Sequence, residues 1–270
     1  LAAQAGARRV LALESQPELV AMGTRLARQN GYGPEVLEFV CGTAASLEAL
    51  PGGIEQVDLI VSEWMGYFLI YEARLAEVIR SRDRWLKPGG LLFPDRAKMY
   101  VSLLEDEEYK GRHFDYYGNV WGFDFSPMQE PAHGEPVVNS FEGTQMLSSI
   151  ACVLDLSLYR CTVEEAFNIA SAYQVTCKRE GKVHAHLFWF EIRFDSCHKP
   201  IAFATGPESP ASCWKQTAFF LTAALPVKAG DRVRGMVATR KASDDRRDLD
   251  IKVSCKVNAG KPHLQYYRWS

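Results

Sequence analysis

The sequence predicts a chain of mixed class: an α/β domain with a doubly wound parallel sheet over residues 1–94, then an all-β barrel or sandwich over 95–270. Three observations predict it. Short apolar runs alternate with amphipathic segments of helical length as far as Gly90, a pattern that pairs strands in parallel with helices on the sheet. Beyond Phe93-Pro94 the period changes to two, as in half-buried antiparallel strands. The chain has 270 residues, 47% of them hydrophobic, so it can bury a sizeable core in one large domain or two small ones.

The elements follow in order. RRVLALE, ending at Glu14, is a short apolar run with the character of a buried strand. QPELVAMGTRLARQNG is a helix: Pro17 suits its first turn, Leu19, Met22 and Leu26 form one stripe, and Asn30-Gly31 stops it. EVLEFVCG and QVDLIVSE are two more strands, joined by the Gly/Ala/Ser stretch from Gly42 to Gly53. RLAEVIRSRDRWLKPGG places Leu75, Val78, Ile79 and Leu86 at helical spacing before a Pro-Gly-Gly stop. In the second half, HLFWFEIRF puts Phe188, Phe190, Ile192 and Phe194 on one side of a long strand. DLDIKVSCKVN alternates strictly, with Leu249, Ile251, Val253, Cys255 and Val257 on the inner face.

An aromatic, Pro/Gly-rich stretch of about 110–140 interrupts this pattern without a period of its own. Phe114, Tyr116, Tyr117, Trp121, Phe123 and Phe125 lie in it and are expected on its surface. A long irregular insertion of this kind reads as a lid or an assembly arm.

Composition excludes several classes. A net charge of -2 supplies no global basic field for a nucleic acid backbone, and YYGNVWGF has no basic stripe that would make it a base-stacking platform. No apolar run has the length of a membrane-spanning helix. The seven cysteines include no C-x-x-C pair and read as reduced thiols of a cytosolic or nuclear protein, with no metal site expected. His198, after Cys197, lacks metal spacing and reads as structural. His184 and His186 share a strand face and are expected to face solvent.

Two places could carry chemistry. Glu14 ends a strand where dinucleotide-type folds hold ribose hydroxyls, the alternative being a plain strand-end carboxylate in solvent. Glu63 directly follows an apolar strand, and Glu72 returns at a helix start after the apolar stretch Trp64–Tyr71. Two carboxylates framed by aromatics make a dry anionic pocket suited to a guanidinium, whose planar fork is matched bidentately and whose charge cannot be shed. On position alone the other reading stands level: Glu72 favours a helix N-terminus and Glu63 is a surface residue.

SEWMGYFLIYEARL, from Ser62 to Leu75, closely resembles the double-E loop of the protein arginine N-methyltransferases, in particular the type I enzymes. AGARRVLALE, RDRWLKPGGLLFPDRA, CHKPIAFATGPESPASCWKQT and RDLD resemble the flanking blocks of that family in the same order, so the similarity covers essentially the whole chain. The resemblance implies a partial Rossmann-like S-adenosylmethionine-binding domain followed by a β-barrel domain with an inserted dimerisation arm. It implies that Glu63 and Glu72 clamp the substrate guanidinium, that Met65, Tyr67 and Trp214 line the pocket, and that Glu14 binds the cofactor ribose. Gly42, Ala45 and Ser46 would complete the cofactor site, with S-adenosyl-L-methionine as the cofactor. The implied substrates are Arg/Gly-rich protein segments, histones among them, and the implied partner is a second copy joined through the arm.

The pattern departs from the family in places. Ser212-Cys213-Trp214 stands for Thr-His-Trp, Arg74 for a methionine, and Ala45 for an acidic residue that meets the adenine amino group. The sequence starts at Leu1, after the point where a glycine-rich cofactor turn is expected, and residues 1–270 alone are expected to bind the cofactor weakly. That start and Cys213 favour a rival reading, a non-catalytic partner subunit of an arginine methyltransferase. The intact pair Glu63 and Glu72 opposes it, and opposes equally a methyltransferase for another acceptor.

Overall fold

Strand β1 (Val10–Glu14) leads into helix α1 (Pro17–Gln29), which returns the chain to strand β2 (Leu37–Cys41). The computed structural model describes residues 1–241 and 248–269; Arg247 of the RDLD block lies outside them. Strands β1 and β2 pair in parallel with Glu14 opposite Cys41, as strand-helix-strand alternation requires. Strand β3 (Val57–Val61), helix α2 (Leu75–Trp85) and strand β4 (Leu86–Phe93) follow, with β3 and β4 hydrogen-bonded to each other. Residues 1–60 and 76–91 form one compact unit, with a core of Ala44, Leu50 and Trp85 against Leu11, Leu13, Leu47, Ile54 and Val57.

Helix α1 begins with Pro17 in its first turn, carries Glu18 there and Arg28 in its last turn, and gives way to Gly31 at φ 80°. Its apolar stripe is amphipathic as expected, yet Leu19, Met22 and Leu26 are each about half exposed. Strand β1 is half-buried along its length rather than buried. Helix α2 ends one residue earlier than its periodicity suggests. Leu86 opens β4, and Lys87-Pro88-Gly89-Gly90 continues as strand instead of stopping a helix.

Residues 61–75 and 92–270 form the second unit. Its elements are β5 (Arg96–Leu104), α3 (Glu107–His113), α4 (Gln129–His133), β6 (Val137–Asn139), β7 (Ala151–Ser157), α5 (Val163–Phe167), β8 (Ala170–Thr176), β9 (Gly181–Phe194), β10 (Ile201–Ala204), β11 (Gln216–Val227), β12 (Arg232–Lys241), β13 (Leu249–Val257) and β14 (His263–Trp269). One sheet runs β6-β11-β9-β5-β7 with β10 beside β9; the other runs β14-β13-β12-β8. Their pairings are antiparallel. The sheets face each other across a core in which Tyr267 of β14 meets Phe219 of β11 edge to face at 4.9 Å and donates its hydroxyl to the Phe220 carbonyl at 2.9 Å. Strand β13 buries Leu249, Ile251, Val253 and Cys255 and leaves Val257 half-buried, as its alternation predicts.

Strand β9 differs from the one-sided strand read from its sequence. Val183 to Phe190 are buried without a break, because β5 and β11 flank it and a second apolar layer covers its other face. Leu187 and Trp189 join that layer with Leu104, Phe114, Phe141, Met146 and Phe220. His184 and His186 are therefore buried, not solvent-facing. The His184 Nδ1 accepts from the Asp106 amide at 3.0 Å, whereas neither ring nitrogen of His186 has a partner. Burial, aided by the neighbouring His263, pushes the His186 pKa down to about 3.

The insertion over 110–140 is built of short helical turns at Asp115–Gly118 and Ser126–Met128, flanked by α3 and α4. Phe114 is not on its surface: the ring is buried against His133 at 4.3 Å and Phe220 at 5.1 Å, at the root of the insertion. Tyr116, Trp121, Phe123 and Phe125 are exposed as expected. No helix among the described residues is long and apolar enough to cross a membrane.

Candidate active site

The segment from Ser62 to Leu75 leaves β3 as the Ser62 amide donates to the Phe93 carbonyl at 2.9 Å. It then folds back on itself. The Gly66 amide reaches the Leu69 carbonyl at 3.0 Å and the Tyr71 amide the Tyr67 carbonyl at 3.0 Å. The Arg74 amide closes the neck on the Trp64 carbonyl at 2.9 Å. Glu63 and Glu72, on either side of that closure, are thereby brought to one end of the loop. Phe68, Leu69 and Glu72 hold positive φ angles of 50°, 65° and 57°. Left-handed backbone at such residues costs about 1–3 kcal/mol each and persists only where tertiary contacts over-determine it.

Those contacts come from the second unit's core. Phe68 inserts edge to face between Phe188 and Phe219, each ring centre 5.1 Å away. Trp64, Leu69 and Ile70 are buried with it, so the apolar stretch is a plug and not a solvated connector. Trp214 donates its indole N–H to the Met65 carbonyl at 3.2 Å and packs on Phe190 and Phe203, so two residues assigned to the pocket from sequence are brought into contact. Gly66 has a steric reason: a Cβ there would run into the Tyr71 carbonyl. Glu63, Tyr67, Glu72, Arg74 and Cys213 are exposed, so the described residues do not by themselves enclose the dry pocket that the sequence suggests.

In the first unit, Glu14 sits at the carboxyl end of β1 and Gly42 just past the carboxyl end of its parallel neighbour β2, where open α/β sheets bind ligands. The Gly42 amide donates to the Glu14 carbonyl at 2.9 Å, and the Glu14 carboxylate accepts the Gln16 amide at 2.9 Å. Gly42 lies at φ 147°, and a Cβ there would crowd Leu47 and the Ser46 hydroxyl. Thr43 and Ser46 close a turn reciprocally, the Thr43 amide donating to Ser46 Oγ at 2.8 Å and the Ser46 amide to Thr43 Oγ1 at 3.1 Å. Ala45 and Ser46 are exposed at its tip. A strand-end carboxylate beside a bare glycine and a turn with a hydroxyl fits the donor and acceptor set of an adenosine group.

Two residues that sequence reasoning passed over hold this turn. Glu77 accepts the Ala44 amide at 2.7 Å, and Arg84 donates to the Ala44 and Glu48 carbonyls. Both stand on α2, two turns apart and thus on one face, a spacing that could have marked them.

The chain is similar to known proteins in sequence and in fold. Residues 95–260 match the arginine methyltransferase oligomerization subdomain, and residues 1–93 a methyltransferase domain. Protein arginine N-methyltransferase 1 of Schizosaccharomyces pombe is 38% identical over 263 residues, covering 97% of this chain and 76% of the relative. The Caenorhabditis elegans protein arginine N-methyltransferase 1 is 37% identical over 253 residues, covering 94% and 72%. Among solved structures, the Trypanosoma brucei PRMT1 enzyme-prozyme heterotetrameric complex with AdoHcy superposes with a TM-score of 0.92 at 28% identity, over 100% of this chain and 84% of the other. Arabidopsis thaliana protein arginine methyltransferase 10 shares the fold, with a TM-score of 0.84 at 23% identity over 98% and 84%. The chain belongs to the protein arginine N-methyltransferase family.

Proposed function

We propose that this chain is a type I-like, S-adenosylmethionine-dependent protein arginine methyltransferase in which Glu63 and Glu72 hold the substrate guanidinium. The observation that supports the reading is the closed backbone neck between Trp64 and Arg74, with Glu63 just outside it and Glu72 just inside, on a loop anchored in the core. A guanidinium nitrogen is a poor nucleophile because its lone pair is delocalised. Two carboxylates accept from the fork of donors, orient it, and draw positive charge towards the far nitrogens, leaving one nitrogen richer in electrons. Trp214, through the Met65 carbonyl, fixes the limb that follows Glu63.

Glu14 would hold the ribose of the cofactor, with Gly42, Ala45 and Ser46 beside the base. Bound S-adenosylmethionine supplies an electrophilic methyl group. Arg/Gly-rich protein segments, histones among them, are the proposed substrates, and the proposed assembly is a homodimer through the insertion. Seven free cysteines support residence in a reducing compartment, the cytosol or nucleus.

Steady-state methyl transfer to an Arg/Gly-rich peptide tests the reading, with the product identified by mass spectrometry. Asymmetric dimethylarginine is expected; a symmetric product overturns the type I assignment. Glu72→Gln should lower kcat by about 10²–10³-fold, the scale for removing one preorganised electrostatic partner, while calorimetry shows nearly unchanged AdoHcy affinity. Equal loss of AdoHcy binding would assign Glu72 to the cofactor instead.

A further inference from the structure

Trp269, near the end of β14, touches the double-glutamate loop in a way its sequence position does not announce. Its ring lies 4.2 Å from that of Tyr71 with the planes 5° apart, and 6.1 Å from Tyr67 with the planes 12° apart. Tyr67 and Tyr71 are themselves partners across the loop's own backbone bridge, so one indole covers both limbs. Tyr71 immediately precedes Glu72, whose φ of 57° needs external support.

Beside the backbone neck between Arg74 and Trp64, the contacts made by Phe68, Trp214 and Trp269 do different work on the loop. Phe68 plugs the core between Phe188 and Phe219, which fixes depth. Trp214 bonds the Met65 carbonyl, which fixes the limb after Glu63. Trp269 stacks on Tyr71, on the limb that carries Glu72, from a strand held in register opposite the buried Leu249, so its ring is carried by a sheet and not by another loop. Parallel stacking of the two rings restricts how the Tyr71 side chain, and the backbone that carries it, can turn.

We propose that Trp269 is a positioning residue for the transfer reaction: by stacking on Tyr71 it holds the backbone that presents Glu72 to the substrate guanidinium. The inference rests on the assignment of Glu72 to the substrate site. It acts through Tyr71 and the loop conformation, and touches no reacting atom.

The test compares Trp269→Ala with Trp269→Phe, which keeps an aromatic face. Hydrogen–deuterium exchange over residues 66–73 reads the loop directly and needs no turnover. Faster exchange in Trp269→Ala, restored in Trp269→Phe, is expected; exchange equal to wild type in Trp269→Ala overturns the proposal. In methyl transfer, Trp269→Ala should lower kcat/KM for an arginine peptide about tenfold, the worth of one lost aromatic pair, with AdoHcy affinity unchanged and most activity returned by Trp269→Phe. Equal impairment of both variants, with matching losses of thermal stability, would reduce Trp269 to a structural role. If the wild type methylates no arginine, the functional reading falls while the exchange result still decides whether Trp269 sets the loop.

Discussion

The amide of Arg74 donates to the carbonyl of Trp64 at 2.9 Å, so the two limbs of the double-glutamate loop are joined near its ends by a backbone bond that no side chain dictates. This closure, more than the burial of the loop, places Glu63 and Glu72 at one end. The departure at Arg74 leaves this closure intact: the residue contributes its backbone N–H to the neck, and its side chain is exposed, away from the buried plug.

Gly66 should be the least replaceable residue of the loop. A Cβ at this position meets the Tyr71 carbonyl, a backbone atom that cannot swing away without opening the fold-back. Gly66→Ala is expected to destabilise the second unit by about 1–3 kcal/mol, the typical range for overpacking, and to abolish peptide methylation while AdoHcy still binds. A variant with wild-type melting and turnover would show that the fold-back is not required.

His186 predicts a pH dependence of stability. Its neutral ring is buried between the sheets with no hydrogen-bond partner, and its pKa falls from 6.5 to about 3 on folding. Between these values the unfolded chain binds a proton that the folded chain does not. The stability is present above pH 6.5 and is lost as pH falls towards 3, at up to about 1.4 kcal/mol per pH unit. His186→Phe should flatten the decline of the urea midpoint between pH 6.5 and 4.5. Parallel pH profiles for wild type and variant would remove His186 as the cause.

What was legible in the sequence is what local periodicity and a linear motif can encode. The alternation of Leu249, Ile251, Val253 and Cys255 fixes a face because β13 has one buried side, and β1 and β2 pair in parallel as strand-helix-strand spacing requires. Periodicity names an apolar side without naming what covers it, so the stripe of Leu19, Met22 and Leu26 was legible and its exposure was not. Likewise β9 looked one-sided because the residues that cover its second face, Phe114, Phe141 and Met146, are remote in sequence. The site divides in the same way. Glu63, Glu72 and Met65 lie in one motif, whereas Trp269 meets Tyr71 only through the pairing of β14 with β13, and Glu77 reaches Ala44 only through the placement of α2.

The insertion presents its aromatics in a manner that predicts self-association. The Val120 and Phe123 backbones exchange hydrogen bonds at 2.9 and 3.0 Å around a two-residue turn, in which Trp121 and Gly122 take φ angles of 52° and 88°. Asn119 accepts the Gly122 amide at 2.8 Å and stiffens it. Trp121 is left 95% exposed at the tip, with Phe123 at 70% beside it. Large rings on a pre-formed turn lose little conformational freedom on docking, and such residues dominate interface energies at about 2 kcal/mol or more each. In the proposed homodimer the exposed stripe of α1, Leu19, Met22 and Leu26, is the expected receiving surface on the second copy. The double variant Trp121→Ser, Phe123→Ser should therefore weaken the proposed dimer by at least about 10²-fold, read as a shift to monomer mass in sedimentation or light scattering, and Leu26→Glu on α1 should do the same from the other side. An unchanged dimer mass in the arm variant would refute assembly through this tip; dissociation by the arm variant alone would move the receiving surface away from α1.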